Sequence, residues 1–171
     1  MKKQFFLFIL FTTVIAQAQI QYNWLGNYKG DLTSINNAGK KMTYAMEIIF
    51  AKETDSTWQW TIVYGEGNKR QERPYKLILK PNGMYEIDEQ NSIVLSNALI
   101  GNRFISVFEV QGNLIHVTYT FKSKKIYFEL TSSSNMYETG GEVTENKDTI
   151  PFVNSYVTVA YQHAIFKRVQ K

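Results

Sequence analysis

Few side chains in this sequence could do chemistry. Cysteine is absent and His116 and His163 are the only histidines, so disulfides, thiolate nucleophiles, cysteine-linked lipids and Cys/His zinc sets are excluded. Glu86 and Asp88 fall on one side of a short alternating run, which reads as a solvated strand face rather than an acid–base pair with divergent pKa values. Glu142, Glu145 and Asp148 recur at every third position, not at the alternating spacing of a calcium loop. No nucleophile elbow or triad order stands near either histidine. These patterns point away from an enzyme and from a resident metal. What remains is binding chemistry. Arg73 and Tyr75 share one parity in an apolar stretch. An arginine turned into apolar space is costly unless paired. A ligand carboxylate held by its fork, with Tyr75 or Tyr44 as a second donor, would offset that cost. The alternative places Arg73 at a rim, with Glu72 as a solvated partner.

The elements that must position these groups are short alternating runs broken by turn residues, the period of strands half buried in a sheet. About ten strands are expected, over 22–33, 41–51, 57–64, 73–80, 84–89, 92–99, 103–111, 113–121, 124–131 and 155–168. The breaks carry turn chemistry, among them Asn36-Asn37-Ala38-Gly39, Pro81-Asn82-Gly83, Gly101-Asn102 and Gly112-Asn113. Such residues accept positive φ and favour antiparallel neighbours. The stretch from Ser132 to Asn154 is expected to be an irregular loop across one end, with Met136, Tyr137 and Phe152 tucked beneath it. No helical period is sustained. Sequential hairpins without crossovers leave two exposed edges unless the sheet closes, so the expectation is all-β: an up-and-down antiparallel barrel, with a sandwich as the alternative.

Parity then assigns the interior. Met42, Tyr44, Met46, Ile48 and Phe50 form one inward set, and Trp58, Trp60, Ile62 and Tyr64 another. In the last strand Val157, Val159, Tyr161, His163 and Ile165 are taken as inward, although the opposite set, with Ala160, Ala164 and Phe166, is also apolar. An inner wall with Tyr44, Met46, Trp58 and Trp60 is either a filled core of packed rings or the lining of a ligand cavity, and a ten-stranded barrel, wider than one that side chains just fill, favours the cavity.

Residues 1–18 read as a secretory signal: Lys2 and Lys3, an apolar run from Phe5 to Ala16, and the small-x-small end Ala16-Gln17-Ala18. The apolar run is too short for a bilayer span. Residues 19–171 are then one exported domain, periplasmic or secreted, with no transmembrane segment after cleavage. The formal charge is +4, and two of those charges sit in the leader. With no long basic run, nucleic acid is not an expected partner.

Asn23-Trp24-Leu25-Gly26 at the start and Phe166-Lys167-Arg168 at the end resemble the calycin pattern of lipocalins and fatty-acid-binding proteins. The resemblance implies that Trp24 is covered by Lys167 or Arg168, a cation laid over an indole at the closed end. A helix-free barrel also resembles the nitrobindin haem barrels and the CpeT-like bilin lyases, the latter through Glu72-Arg73-Pro74-Tyr75. The nitrobindin resemblance implies haem held by a last-strand histidine, here His163. The expected function is a lipocalin-like, non-catalytic carrier of a small apolar or amphiphilic ligand without a resident cofactor. One alternative is a protein-interaction or inhibitor module acting through its loops, and another is a haem barrel using His163.

Overall fold

The computed structural model describes residues 19–169, so the expected leader, 1–18, lies outside the described residues. A single 3-10 turn, Tyr22–Trp24, precedes ten strands: β1 (Gly26–Asn36), β2 (Lys41–Lys52), β3 (Thr57–Tyr64), β4 (Gln71–Leu79), β5 (Tyr85–Asp88), β6 (Val94–Ile100), β7 (Arg103–Val110), β8 (Asn113–Lys122), β9 (Lys125–Thr139) and β10 (Val153–Arg168). Each pairs antiparallel with its neighbour in sequence, and β1 also pairs with β10. The chain is the all-β, closed up-and-down barrel that its alternation predicts. Among the described residues no helix is long and apolar enough to cross a membrane.

Local chemistry sets the hairpins. At Gln111-Gly112 both residues take positive φ, 50° and 75°, as a two-residue turn of the I′ type requires. Asn36 folds the β1–β2 turn by accepting the N–H groups of Ala38 at 3.1 Å and Lys40 at 2.8 Å through Oδ1. Gly30 serves the closing seam. A Cβ there would lie 2.6 Å from the Ile165 carbonyl oxygen, so only glycine lets β1 approach β10 so closely.

Alternation sends Met46, Ile48 and Phe50 of β2, Trp58, Trp60 and Ile62 of β3, and Tyr119 and Phe121 of β8 into one buried cluster. Rings interlock in the closed half. Trp24 stacks on Phe121 with centroids 4.7 Å apart, and Trp60 stands edge-on to Phe50 at 5.0 Å and to Tyr119 at 5.1 Å. Burying a large apolar side chain is worth roughly 1.5–3 kcal/mol, and ring pairs add about 0.5–1.5 kcal/mol. That half is therefore solid, and the expected hollow is confined to the open half. The outer wall carries ion pairs such as Lys29–Glu47 (2.8 Å) and Lys80–Glu86 (3.2 Å). They add little stability, but they place Glu86 on the solvent side.

The last two strands depart from expectation. Strand β10 buries Ala164 and Phe166, so His163, Tyr161 and Ile165 face outward and the inward assignment of that set is corrected. The expected 132–154 loop is part strand: β9 continues to Thr139 and β10 begins at Val153, so the two form a long hairpin and only 140–152 is left as its tip. Asn135 at φ 52° and register shifts beside Val157 and Thr158 interrupt the pleat, which erases the two-residue period in the sequence. Met136, Tyr137 and Phe152 are 53%, 58% and 68% exposed rather than tucked away.

Candidate ligand site at the open end of the barrel

The open end gathers the turns after β1, β3, β5, β7 and β9. Below it, inward residues of β3 to β8, together with Glu89 just after β5, enclose a cavity of about 230 Å³. Its walls are Ile62, Tyr64, Tyr75, Ile87, Leu95, Phe108, Val117 and Tyr119, and Trp60 and Ser106 also line it. Mostly apolar walls with a few placed polar groups are what a small-molecule pocket needs. A larger outer cleft, near 400 Å³, is lined by Lys29, Asp31, Glu47, Glu66 and Lys167. The Lys29–Glu47 pair already occupies that surface, and its lining is mainly charged, with Ala45, Met46 and Ile165 as the apolar part.

Arg73 reaches the mouth because β4 puts it on the inward parity two residues before Tyr75. Its guanidinium lies 5.7 Å from the centre of the Tyr64 ring and donates a long 3.4 Å hydrogen bond to the Tyr75 hydroxyl. That contact raises the Arg73 pKa further, and the guanidinium stays charged. Among the described residues Arg73 belongs to no ion pair; Glu72, the rim partner considered above, pairs with Arg70 instead. The Gln90 side chain donates to the Pro74 carbonyl and so ties the β5–β6 turn to β4. This tie holds Glu89 at the same mouth as Arg73.

Deeper in, burial pushes the phenols of Tyr64 and Tyr119 above their ordinary value, Tyr119 far above it, with Arg73 partly counteracting the effect at Tyr64. Both are neutral hydrogen-bonding groups at any physiological pH. Trp60 is 1% exposed, and its indole N–H is buried without an acceptor. A buried unpartnered donor costs about 1–3 kcal/mol.

Of the residues singled out from sequence, the cavity unites Arg73, Tyr75 and Trp60. Met46 and Trp58 belong to the packed core outside it. Tyr44 shares the inward parity but is 45% exposed beyond the cavity, its hydroxyl against the sulfur of Met42. His163 stacks on Tyr161 at 5.5 Å on the outer wall, where the Tyr161 hydroxyl donates to Glu129 at 3.0 Å. A haem enclosed by the barrel would receive no ligand from His163, so these residues do not fit that group. Tyr64, Tyr119, Phe108 and Glu89 were not among the expected site residues. The alternation Ile115, Val117, Tyr119, Phe121 was the signal for Tyr119, and Glu89 continues the parity of Tyr85 and Ile87.

At the closed end Arg168 is the inward cation and Lys167 is exposed. The guanidinium of Arg168 lies over the Tyr28 ring at 5.6 Å rather than over Trp24. It donates to the carbonyls of Asn23 and Leu25, which clasps the 3-10 turn that carries Trp24.

No family model matches the chain, and no curated protein matches it in sequence. Among solved structures it is similar to a protein of unknown function of the DUF3598 family from Nostoc punctiforme. That match has a TM-score of 0.58 and 10% identity, over 86% of this chain and 48% of that one, so this chain spans about half its length. The S-type phycobiliprotein lyase CPES from Guillardia theta matches with a TM-score of 0.58 and 8% identity, over 86% of this chain and 89% of that one. Rv2717c from M. tuberculosis gives 0.45 and 11%, over 87% and 94%. At the 8% and 10% identities of the first two structures the likeness is one of fold alone, and what it supports for this chain is the β-barrel architecture.

Proposed function

We propose that the barrel is an exported, non-catalytic binding protein that holds one small apolar or amphiphilic molecule in its open half. The observation that carries this reading is the 230 Å³ cavity with an unpaired guanidinium at its mouth. Apolar walls supply affinity, and Arg73 with Tyr75 orients an acidic group. The fold likeness to a barrel named as a lyase adds support for a ligand-holding interior. The polar groups lining the cavity of this chain include no histidine; Ser106 therefore has no imidazole base within the lining, which favours binding without chemistry.

Native mass spectrometry of the protein purified from its own host tests both halves of the proposal. A mature chain beginning at Gln19 is the expected sign of export, and a co-purifying small mass is the expected sign of carriage. Arg73→Met should weaken binding of a carboxylate ligand about 10- to 100-fold, the scale of a charge-assisted hydrogen bond. An intact Met1 would remove export from the proposal. Unchanged affinity in the variant would remove Arg73 from the site.

The β9–β10 hairpin favours a second reading, docking of a protein partner, because Met136, Tyr137, Val143 and Phe152 are exposed beyond the barrel. Isolated surface apolar residues are ordinary, but a cluster of them marks contact sites. A Tyr137→Ser, Phe152→Ser double variant should then leave ligand binding intact and abolish partner capture. Capture that survives it would count against this reading.

A further inference from the structure

We propose that the cavity takes a compact aromatic amino acid: one ring system enclosed, with a carboxylate and an ammonium side by side at the mouth. This inference deepens the carrier reading and rests on it. Size is the first constraint. A cavity of about 230 Å³ lies below the roughly 300–1,000 Å³ typical of drug-sized pockets. A long acyl chain or a tetrapyrrole cannot be enclosed in that space, whereas a single aromatic side chain fills it.

The walls set the shape. Tyr64, Tyr75, Phe108, Tyr119 and Trp60 present ring faces and edges around that volume, which suits an aromatic guest through offset and edge-on contacts. The mouth sets the charge. Arg73 and Glu89 both line it, yet they form no ion pair with each other, and the Glu89 carboxylate accepts only a 3.3 Å hydrogen bond from the Asn91 amide among the described residues. A simple aryl carboxylate would satisfy Arg73 while sitting beside a like charge at Glu89. A zwitterion satisfies both, because its ammonium sits one carbon from its carboxylate. The lining adds a third point. Ser106 lines the cavity, and its hydroxyl is a hydrogen-bond partner for a ring bearing a phenolic oxygen.

Isothermal titration calorimetry with five probes decides the matter: L-tyrosine, L-phenylalanine, 3-(4-hydroxyphenyl)propionate, tyramine and palmitate. L-Tyrosine should bind tightest. Loss of its amine or its carboxylate should weaken binding about tenfold or more, and loss of the hydroxyl should weaken it several-fold. Glu89→Gln should erase the preference for tyrosine over the deaminated acid, and Arg73→Met the preference over tyramine; both sites are at the mouth, away from the packed core. Equal affinity for tyrosine and the deaminated acid would overturn the proposal, as would selectivity untouched by Glu89→Gln. Palmitate binding with tyrosine excluded would overturn the ligand class and leave the carrier reading standing. Binding of none of the five, with no co-purifying mass, would remove both.

Discussion

Trp60→Ala is expected to lower the unfolding free energy by about 3–5 kcal/mol, the range for removing a fully buried aromatic side chain. The reason is position. Trp60 contacts Phe50 at 5.0 Å, Tyr119 at 5.1 Å, Phe104 at 6.0 Å and Phe121 at 6.4 Å, and so joins rings from β2, β7 and β8 across the barrel axis. Each pair loses its edge-on or tilted partner at once, and the walls cannot collapse because hydrogen-bonded strands hold them apart. The same change opens the floor between the ligand cavity and the packed half. The variant should therefore accept larger apolar probes than the wild type while being far less stable. Urea unfolding followed by far-ultraviolet circular dichroism measures the first effect, and probe binding measures the second. A loss below about 1 kcal/mol would mean that the rings do not form one continuous packing unit. Trp60→Phe separates packing from hydrogen bonding: it keeps most of the ring and removes the N–H that lacks an acceptor, so its stability cost should be much the smaller.

How far such a site can be read in advance depends on the strand. Strand β2 was legible because Thr43 and Glu47 are polar on one side while Met46, Ile48 and Phe50 are apolar on the other, so parity had one solution. Strand β10 was not, because Ile165 and Val159 compete with Ala164 and Phe166 for the interior. With apolar residues on both faces of the strand, sequence parity has two solutions. That ambiguity is what sent His163 to the wrong side. The upper β9–β10 hairpin was illegible for a different reason: a positive φ at Asn135 and two register shifts break the period on which the reading of strands depends. Arg73 shares the face of Tyr75, as its parity indicated, but it stands exposed at the mouth, as the rim alternative had it, without Glu72 as its partner. Glu89 was legible from the parity that it continues from Tyr85 and Ile87; what no local pattern announces is the Gln90-to-Pro74 contact that ties its turn to β4.

Arg168→Met should cost about 2–4 kcal/mol, although Arg168 lies one residue before the end of the described chain and far from the ligand cavity. Its guanidinium donates to two main-chain carbonyls, of Asn23 and Leu25, whose own strand partners are missing because the 3-10 turn ends there. Hydrogen bonds from a charged donor are worth about 1.5–3 kcal/mol each, and the carbonyls left behind regain part of that from water. The site is built around this side chain. Gly26 stands at φ 151°, and a Cβ there would meet Arg168 Nε at 2.7 Å. The Tyr28 hydroxyl donates to the Trp24 carbonyl at 2.7 Å beneath the guanidinium, and burial raises the Tyr28 pKa while the Arg168 charge lowers it. Removing the cation therefore loosens the turn, and Trp24 with it, from its 4.7 Å stack on Phe121. A red-shifted tryptophan emission is the expected signature before global unfolding. Arg168→Lys should recover less than half of the lost stability, because both carbonyls are reached by Nη2 at the far end of the side chain, and the shorter lysine also lacks the planar group that lies over the Tyr28 ring. Lys167→Met, on the exposed outer wall, is the control and should change stability by less than about 0.5 kcal/mol. If the Lys167 and Arg168 variants are equally stable, the closed end is held by ring packing alone, and the clasp across β1 and β10 is a contact without energetic weight.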